Sequence, residues 1–319
     1  MKQFIICFFL FLICLYNYSQ NMVSYEELVL PNDIIEMQKK YDECNKLVNT
    51  REDHCKNVVD SIIMIVETFL SFGEDNCFKK RLYLNYADFL AKYEYYDDAI
   101  YYYDLAFIHK FMKEDEFFYP FRKKYFDNNL FLYNRKCTDY FEKSTKQFSS
   151  DEMKIRMKIK EMIASDQIVR KYIRTFPSEI SCSDNLLIFV DSINMIKIID
   201  LLTEFPEIDD PLYLEKWDYF VLGRHLFTAY PNFWLTYFEP IARKQLLNGC
   251  YVFGAQSYAR TYDRCMIISG KSQYSFYGEW DNDGKNVNPD SLAVAKRRIN
   301  LGLPLLKDKP TDEIFFITY

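Results

Sequence analysis

The sequence predicts a mainly α-helical protein in two parts, with a short antiparallel β-hairpin near the C-terminus of the second part. Residues 32–176 contain one glycine, Gly73, and one proline, Pro120, and helix-breaking residues are this rare where helices follow one another closely. Apolar residues recur in the same region at spacings of three and four, as they do on the buried face of a helix. Glycines become frequent only from Gly223 onward, which indicates a second part with more turns.

Composition and charge exclude several classes of protein. The chain has 319 residues, enough for two domains, and its 49% hydrophobic content is that of a folded protein with a core. Its formal net charge of −6 argues against a nucleic-acid partner, because binding to phosphates depends on clustered lysines and arginines. The three histidines have no partners at metal-ligand spacing, and the chain contains no phosphate loop or dinucleotide fingerprint. We therefore expect no metal and no cofactor.

Residues 1–19 have the layout of a secretory signal peptide. Lys2 provides the basic start, residues 4–15 are apolar, and residues 17–21 are polar. A membrane-spanning helix requires about 20 apolar residues, and this run is shorter. We expect the protein to be exported to the periplasm, the cell envelope or the medium, with no membrane span in the mature chain. Retention of the segment as an uncleaved anchor is the alternative.

Removal of this segment leaves an odd number of cysteines, without the close spacing of a zinc or redox motif. Some of them can form disulfides in an oxidising compartment, but a chain of this size does not depend on disulfides for folding. We expect mostly buried thiols. The cysteines of the mature chain are Cys44, Cys55, Cys77, Cys137, Cys182, Cys250 and Cys265.

The clearest helical hairpin is predicted for residues 86–107, where small residues stand at the positions at which two antiparallel helices approach closely. This pattern resembles the tetratricopeptide repeat, in which small, aromatic and small residues recur at these offsets. The resemblance implies helical hairpins through residues 20–150 with a peptide-binding groove on the concave side; a plain helical scaffold is the alternative. One repeat cannot bury its own faces, so neighbouring helices should cover it. The inward positions are Ala87, Leu90, Tyr96, Ala99, Tyr103 and Ala106.

The second predicted part, residues 151–319, is an α-rich domain that carries the β-hairpin. Ser150 and the acidic residues after it are typical of the start of a helix. Residues 264–269 are mostly apolar, Gly270 opens a turn, and polar and apolar residues then alternate through residues 273–280. This combination predicts two short antiparallel strands.

Polar residues at one-turn spacing occur on two predicted helices of this part. Asp166 and Arg170 are four residues apart, and Asp191 and Asn194 are three apart. Each has a structural alternative: a surface pair such as Asp166 and Arg170 contributes only about 0.3–0.5 kcal/mol. Likewise, a single histidine among aromatic residues, such as His225, is more often a satisfied core residue than a catalyst.

The second part contains a series of polar residues and glycines in the following order: Asp166, Gln167, Arg170, Asp191, Asn194, His225, Asp263, Arg264, Gly270, Gln273, Tyr277, Gly278, Arg297, Arg298 and Gly302, followed by Leu303. This order resembles the pattern of DUF6624, an uncharacterised bacterial family of domains of unknown function. The resemblance covers roughly the last half of the chain and implies a shared polar site. The chain departs from the family pattern at Arg224, Phe227, Glu279 and Trp280, so an activity of the family need not persist here.

Two hypotheses of function follow from the sequence. The first, which the sequence favours, is an exported interaction protein that binds an unknown protein or an envelope component through its helical scaffold. It rests on the repeat-like hairpin and on the altered residues around His225.

The second hypothesis is a hydrolase-type enzyme. In this hypothesis His225 is the general base or acid, one of the aspartates orients it, and Arg264 or Arg170 binds an anion or developing negative charge. The candidate catalytic residues are His225, Asp263 and Arg264. The candidate ligand-binding residues are Asp166, Gln167, Arg170, Asp191, Asn194, Gln273, Tyr277 and Arg297.

Overall fold

The computed structural model describes ten stretches of the chain between residues 27 and 306. The predicted signal peptide, together with Cys182, Arg224 and Trp280, lies outside these described residues. The described stretches are 27–50, 52–73, 76–112, 114–175, 183–205, 222–223, 225–227, 229–251, 254–279 and 288–306.

Helices make up most of the described chain, which confirms the prediction of a mainly α fold. The first half contains α1 (Asn32–Val48), α2 (Lys56–Ser71), α3 (Cys77–Lys92), α4 (Tyr96–Ile108), α5 (Glu114–Phe117), α6 (Pro120–Tyr125), a 3-10 turn (Asp127–Asn129) and α7 (Leu130–Gln147). The second half contains α8 (Ser150–Thr175), α9 (Ser183–Glu204), α10 (Pro231–Phe233), a π-helical turn (Trp234–Phe238), α11 (Glu239–Leu247), α12 (Gly254–Ile268) and α13 (Ser291–Asn300).

The predicted β-hairpin is wrong, because the part of the chain that the structure describes contains no strand. The apolar residues that suggested the first strand belong to the last turns of α12, which continues to Ile268. The following residues, 269–279, form turns and bends. Their backbone N–H groups at Phe276, Tyr277 and Glu279 donate to the carboxylate of Asp263. A ladder of strands needs these same donors, so the side chain replaces the partner strand.

The first half has its own hydrophobic core, to which α1, α2, α3, α4 and aromatic residues of α7 contribute. Helix α3 packs against α1 and α4. The side chains of Ala87, Ala99 and Ala106 are fully buried, as expected where two helices approach closely. Tyr103 is also fully buried, and its hydroxyl donates to Asp88. The inward positions predicted from the sequence therefore face this core.

A second core lies among α8, α9, α11, α12 and the π-helical turn, and Trp234 and Tyr258 are among its buried residues. Leu28 and Leu30, which precede α1, also belong to this core. The backbone N–H of Leu30 donates to the carbonyl of Asn300 at 2.8 Å. The start of the described chain thus packs against the second half.

A disulfide between Cys77 and Cys250 joins the two halves. Cys77 begins α3, and Cys250 follows α11. One turn further along α3, Arg81 donates from Nη1 to the carbonyl of Tyr251 at 3.2 Å. The sequence did not predict this pairing. The free cysteines of the described chain are Cys44 and Cys265, which are buried, Cys137, which is half-buried, and Cys55, which is exposed.

Among the helices of the described residues, none is both long and apolar enough to cross a membrane.

Candidate functional site

Four side chains from three separate elements meet around Asp166 on α8. Arg170, one turn later on the same helix, donates from Nε to Asp166 at 2.8 Å and from Nη2 to Asp191 of α9 at 2.6 Å. Nδ1 of His225 lies 3.1 Å from the second carboxylate oxygen of Asp166. Gln167 also donates to that oxygen, at 2.7 Å. We call these five residues the Asp166 cluster.

The side chains of the Asp166 cluster differ in their exposure to solvent. The side chain of Asp166 is 1% exposed, those of Arg170 and Asp191 are 14% and 7% exposed, and that of His225 is 20% exposed. A buried ion pair is a weak source of stability, because desolvation of both charges offsets their attraction. The imidazole of His225 is the most exposed of these four side chains, so it is the one best placed to exchange protons with a ligand.

The two carboxyl groups of the cluster have pKa values shifted in opposite directions. Burial alone would raise the pKa of Asp166, but the hydrogen bonds from His225 and Arg170 outweigh it and hold this pKa below its ordinary value. Burial raises the pKa of Asp191, the charge of Asp166 adds to this effect, and Arg170 only partly offsets it. Neighbouring titratable groups whose pKa values are pushed apart are typical of acid–base sites.

The hydrogen bond to Asp166 determines which nitrogen of His225 can react. A carboxylate with a lowered pKa only accepts hydrogen bonds, so Nδ1 must carry the proton in this contact. In the neutral ring Nε2 then has the free lone pair. This arrangement orients the imidazole for general base catalysis through Nε2 and stabilises the ring once it is protonated.

Packing of the aromatic residues that follow His225 fixes its position. Phe227 lies two residues later, and its ring centroid is 4.9 Å from that of Phe238 and 6.4 Å from that of Trp234. Trp234 and Phe238 bound the π-helical turn, in which the N–H of Glu239 donates to the carbonyl of Trp234, five residues back. Pro240 follows directly and has no N–H, so it cannot continue the α-helical hydrogen-bond pattern at its own position.

Two further residues adjoin the Asp166 cluster. Asn194 lies one turn after Asp191 on α9 and is 1% exposed, and its Nδ2 makes no hydrogen bond to any residue that the structure describes. A buried amide donor without a partner costs about 1–3 kcal/mol, so a ligand or water that accepts from it would stabilise the site.

The second residue is Tyr230. Burial and the nearby charge of Asp191 raise the pKa of Tyr230. Tyr230 was not singled out from the sequence, since nothing distinguishes it there from the many other tyrosines.

Asp263, a predicted catalytic residue, lies in a different place and holds the loop after α12. Its carboxylate is fully buried and accepts from the hydroxyl of Ser275 and from the N–H groups of Phe276, Tyr277 and Glu279. Burial raises its pKa, and these hydrogen bonds only partly offset the rise. With its acceptor capacity used by the loop, Asp263 has a structural role in the described chain.

Arg297 and its neighbour Arg298 secure the same loop from α13. Arg297 donates to the carbonyl of Phe276 at 3.1 Å, and its guanidinium lies 3.8 Å from the centre of the Phe276 ring. Arg298 pairs with Glu279 at 2.5 Å. Gly278 has a φ of +69°, and a Cβ at this position would lie 2.8 Å from a methyl carbon of Leu306. The loop therefore requires glycine there.

Tyr277 belongs to a buried polar group that the sequence did not reveal. Glu239 accepts from Tyr258 at 2.6 Å and from Arg243 at 2.9 Å. The ring centroids of Tyr258 and Tyr277 are 6.3 Å apart. Burial raises the pKa of Tyr277, and Arg243 opposes the rise. The spacing of Glu239 and Arg243, four residues apart on one helix, was the available signal.

The remaining predicted site residues are Arg264 and Gln273. Arg264 is half-buried, and its Nε is buried and has no hydrogen-bond partner among the described residues. Gln273 is exposed. The structure thus brings together Asp166, Gln167, Arg170, Asp191 and His225, and it places Asp263, Tyr277 and Arg297 around the loop 275–279. Within the described residues there is no group of three or more metal-ligating side chains that could hold a metal ion.

Comparison of the chain with protein-family models, with curated proteins and with solved structures found no match. The interpretation of the site therefore rests on its own geometry.

Proposed function

We propose that the protein is an exported hydrolytic enzyme whose general acid–base residue is His225. The observation that carries this proposal is the hydrogen bond between Nδ1 of His225 and the buried carboxylate of Asp166. Arg170 and Asp191 complete the cluster around this pair. This rigid support is what a positioned general base requires.

The proposed reaction begins with a water molecule near Nε2 of His225. Nε2 takes a proton from the water as its oxygen attacks the electrophilic centre of the substrate, and Asp166 stabilises the imidazolium that forms. The imidazolium then gives this proton to the leaving group, so that the bond to the leaving group is replaced by a bond to the water oxygen. Nδ2 of Asn194 supplies a hydrogen-bond donor to the bound substrate.

Export is part of the proposal and has two supports. One is the signal-peptide pattern of residues 1–19. The other is the disulfide between Cys77 and Cys250, since disulfides persist mainly in oxidising compartments. The order of polar residues that resembles DUF6624 supports a site shared with that family.

The test is a hydrolysis assay of the chain from residue 20 onward on chromogenic esters, phosphate esters, glycosides and anilides. We expect one substrate class to be hydrolysed, and we expect His225→Ala to lower kcat/KM by about 10²–10⁴-fold, the usual contribution of general acid–base catalysis. His54→Ala is the matched control, because half-buried His54 lies before α2 in the other half of the chain. Equal activity of the two variants, or no hydrolysis of any class, would overturn the proposal.

Binding of a protein or envelope component is the second candidate function. The observation that favours it is a cavity of 610 Å³ among the N-terminal helices, where the tetratricopeptide-like hairpin is predicted. Failure to recover any specific protein or glycan from cell-envelope extracts with the immobilised chain would contradict this function.

A further inference from the structure

The cavity among the N-terminal helices is separate from the Asp166 cluster. Its walls come from the end of α1 and from α3, α5 and α6, whereas the cluster is built by α8, α9 and the stretch around His225. Its volume of 610 Å³ lies within the range of about 300–1,000 Å³ that is usual for small-molecule sites.

The cations in the wall of the cavity are already paired within the protein. Arg122 donates to both carboxylate oxygens of Asp88, at 2.8 and 3.1 Å, and to the backbone carbonyl of Glu116. Lys92 lies 3.1 Å from a carboxylate oxygen of Asp53 and donates to the carbonyl of Glu52 at 3.2 Å. A carboxylate or phosphate ligand would have to compete with these pairs, so the wall suits a neutral ligand.

Two asparagines in the wall present hydrogen-bond acceptors. Nδ2 of Asn85 donates to the side-chain oxygen of Asn45 at 2.8 Å. Nδ2 of Asn49 donates to the same oxygen and to the backbone carbonyl of Asn45, both at 2.9 Å. These bonds orient both amides and use both N–H groups of Asn49 and one N–H group of Asn85. The oxygen of each amide is a group that can accept from a ligand.

Aromatic rings form another part of the wall, at α6. Phe121 is 45% exposed and Tyr119 is 37% exposed. The Phe121 ring is held by Tyr125, with centroids 6.1 Å apart and planes at 77°, and by the guanidinium of Arg122, 4.7 Å from its centre. These rings are therefore fixed in position and yet present apolar surface to a ligand.

We propose that this cavity binds a neutral saccharide. A sugar ring has a face of C–H groups that packs on an aromatic ring, hydroxyl groups that donate to amide oxygens, and no charge. The wall supplies the matching aromatic rings at Tyr119 and Phe121, the acceptors of Asn49 and Asn85, and cations that are already paired. The proposal does not depend on hydrolysis at His225, so His225→Ala should bind the saccharide as the parent does.

The test uses the chain from residue 20 onward with maltotriose, cellotriose and tri-N-acetylchitotriose as probes, in calorimetric titrations and saturation-transfer NMR. We expect at least one probe to bind with a millimolar or lower Kd. Phe121→Ala should weaken this binding about 5–10-fold, which is the usual effect of losing one aromatic contact. Phe131→Ala is the matched control, because Phe131 on α7 is 79% exposed and does not line the cavity.

Asn49→Ala provides a second variant that should fold normally, because Asn49 is exposed at the end of α1. It should also weaken the binding, by about 3–10-fold for the loss of one hydrogen bond. The proposal is overturned if none of the probes binds, if neither variant differs from Phe131→Ala, or if the uncharged peptide N-acetyl-tetra-alanine amide binds more tightly than all three trisaccharides.

Discussion

Replacing Cys77 and Cys250 together by serine is expected to lower the free energy of unfolding by about 5 kcal/mol. The disulfide links residues 173 apart in sequence, and a cross-link that closes a loop of this length restricts the unfolded chain by about that amount. The measurement is equilibrium unfolding in urea of the oxidised parent and of the double variant. The slope of the urea dependence should also increase, because the unfolded variant exposes more surface.

The control for this prediction is Cys55→Ser, because Cys55 is free and exposed. It should change the free energy of unfolding by less than about 0.5 kcal/mol. Reduction of the parent protein should reproduce the effect of the double variant. If neither reduction nor the double variant changes the urea midpoint, the disulfide is absent from the folded protein, and this support for export is lost.

Asp166→Ala is expected to destabilise the protein by about 3 kcal/mol, near the lower end of the range for breaking a buried ion pair. The substitution removes the acceptor for Arg170, Gln167 and His225. Arg170 still pairs with Asp191, which is why the loss should not be larger. Asp200→Ala is the control, since Asp200 is exposed on α9. A loss of less than about 1 kcal/mol for Asp166→Ala would show that the cluster is not buried as described.

This loss of stability should depend on pH in a defined direction. The pKa of Asp166 is lower in the folded protein than its ordinary value. Its contribution is therefore complete above the ordinary carboxyl pKa of about 3.9 and disappears as the pH falls through the lowered folded-state pKa. The difference in unfolding free energy between the parent and Asp166→Ala should accordingly shrink in acid. A difference that grows in acid would contradict the assignment.

Local sequence features predicted the helices and part of the cluster. Glycine and proline are scarce before residue 176, which predicted helices there. The small residues Ala87 and Ala99 predicted close contact between the two helices of a hairpin, and the structure places both alanines in the core. The spacing of Asp166 and Arg170 likewise predicted that they share a helix face. The spacing did not reveal that the pair is buried. The stabilisation of about 0.3–0.5 kcal/mol that holds for a surface ion pair therefore does not apply to Asp166 and Arg170.

Long-range contacts explain what the sequence could not predict. The alternation in residues 273–280 is compatible with a strand, but the fully buried carboxylate of Asp263 takes the N–H groups of the loop. The pairing of Cys77 with Cys250 joins helices from different halves, and cysteine spacing alone cannot determine such a pairing. The hydrogen bonds of Asp263 to residues 275–279 depend on how that loop folds back onto α12, which no local pattern encodes.

The most direct test of the Asp166–His225 site is a measurement of which nitrogen of His225 carries the proton. The chain contains only three histidines, so a two-bond ¹H–¹⁵N correlation spectrum is simple to assign with His225→Gln. The spectrum is recorded at about pH 9, above the pKa of about 6.5 that histidine has in model peptides. The geometry predicts a proton on Nδ1 and a free Nε2. A proton on Nε2, or rapid exchange between both tautomers, would contradict the proposed acid–base site.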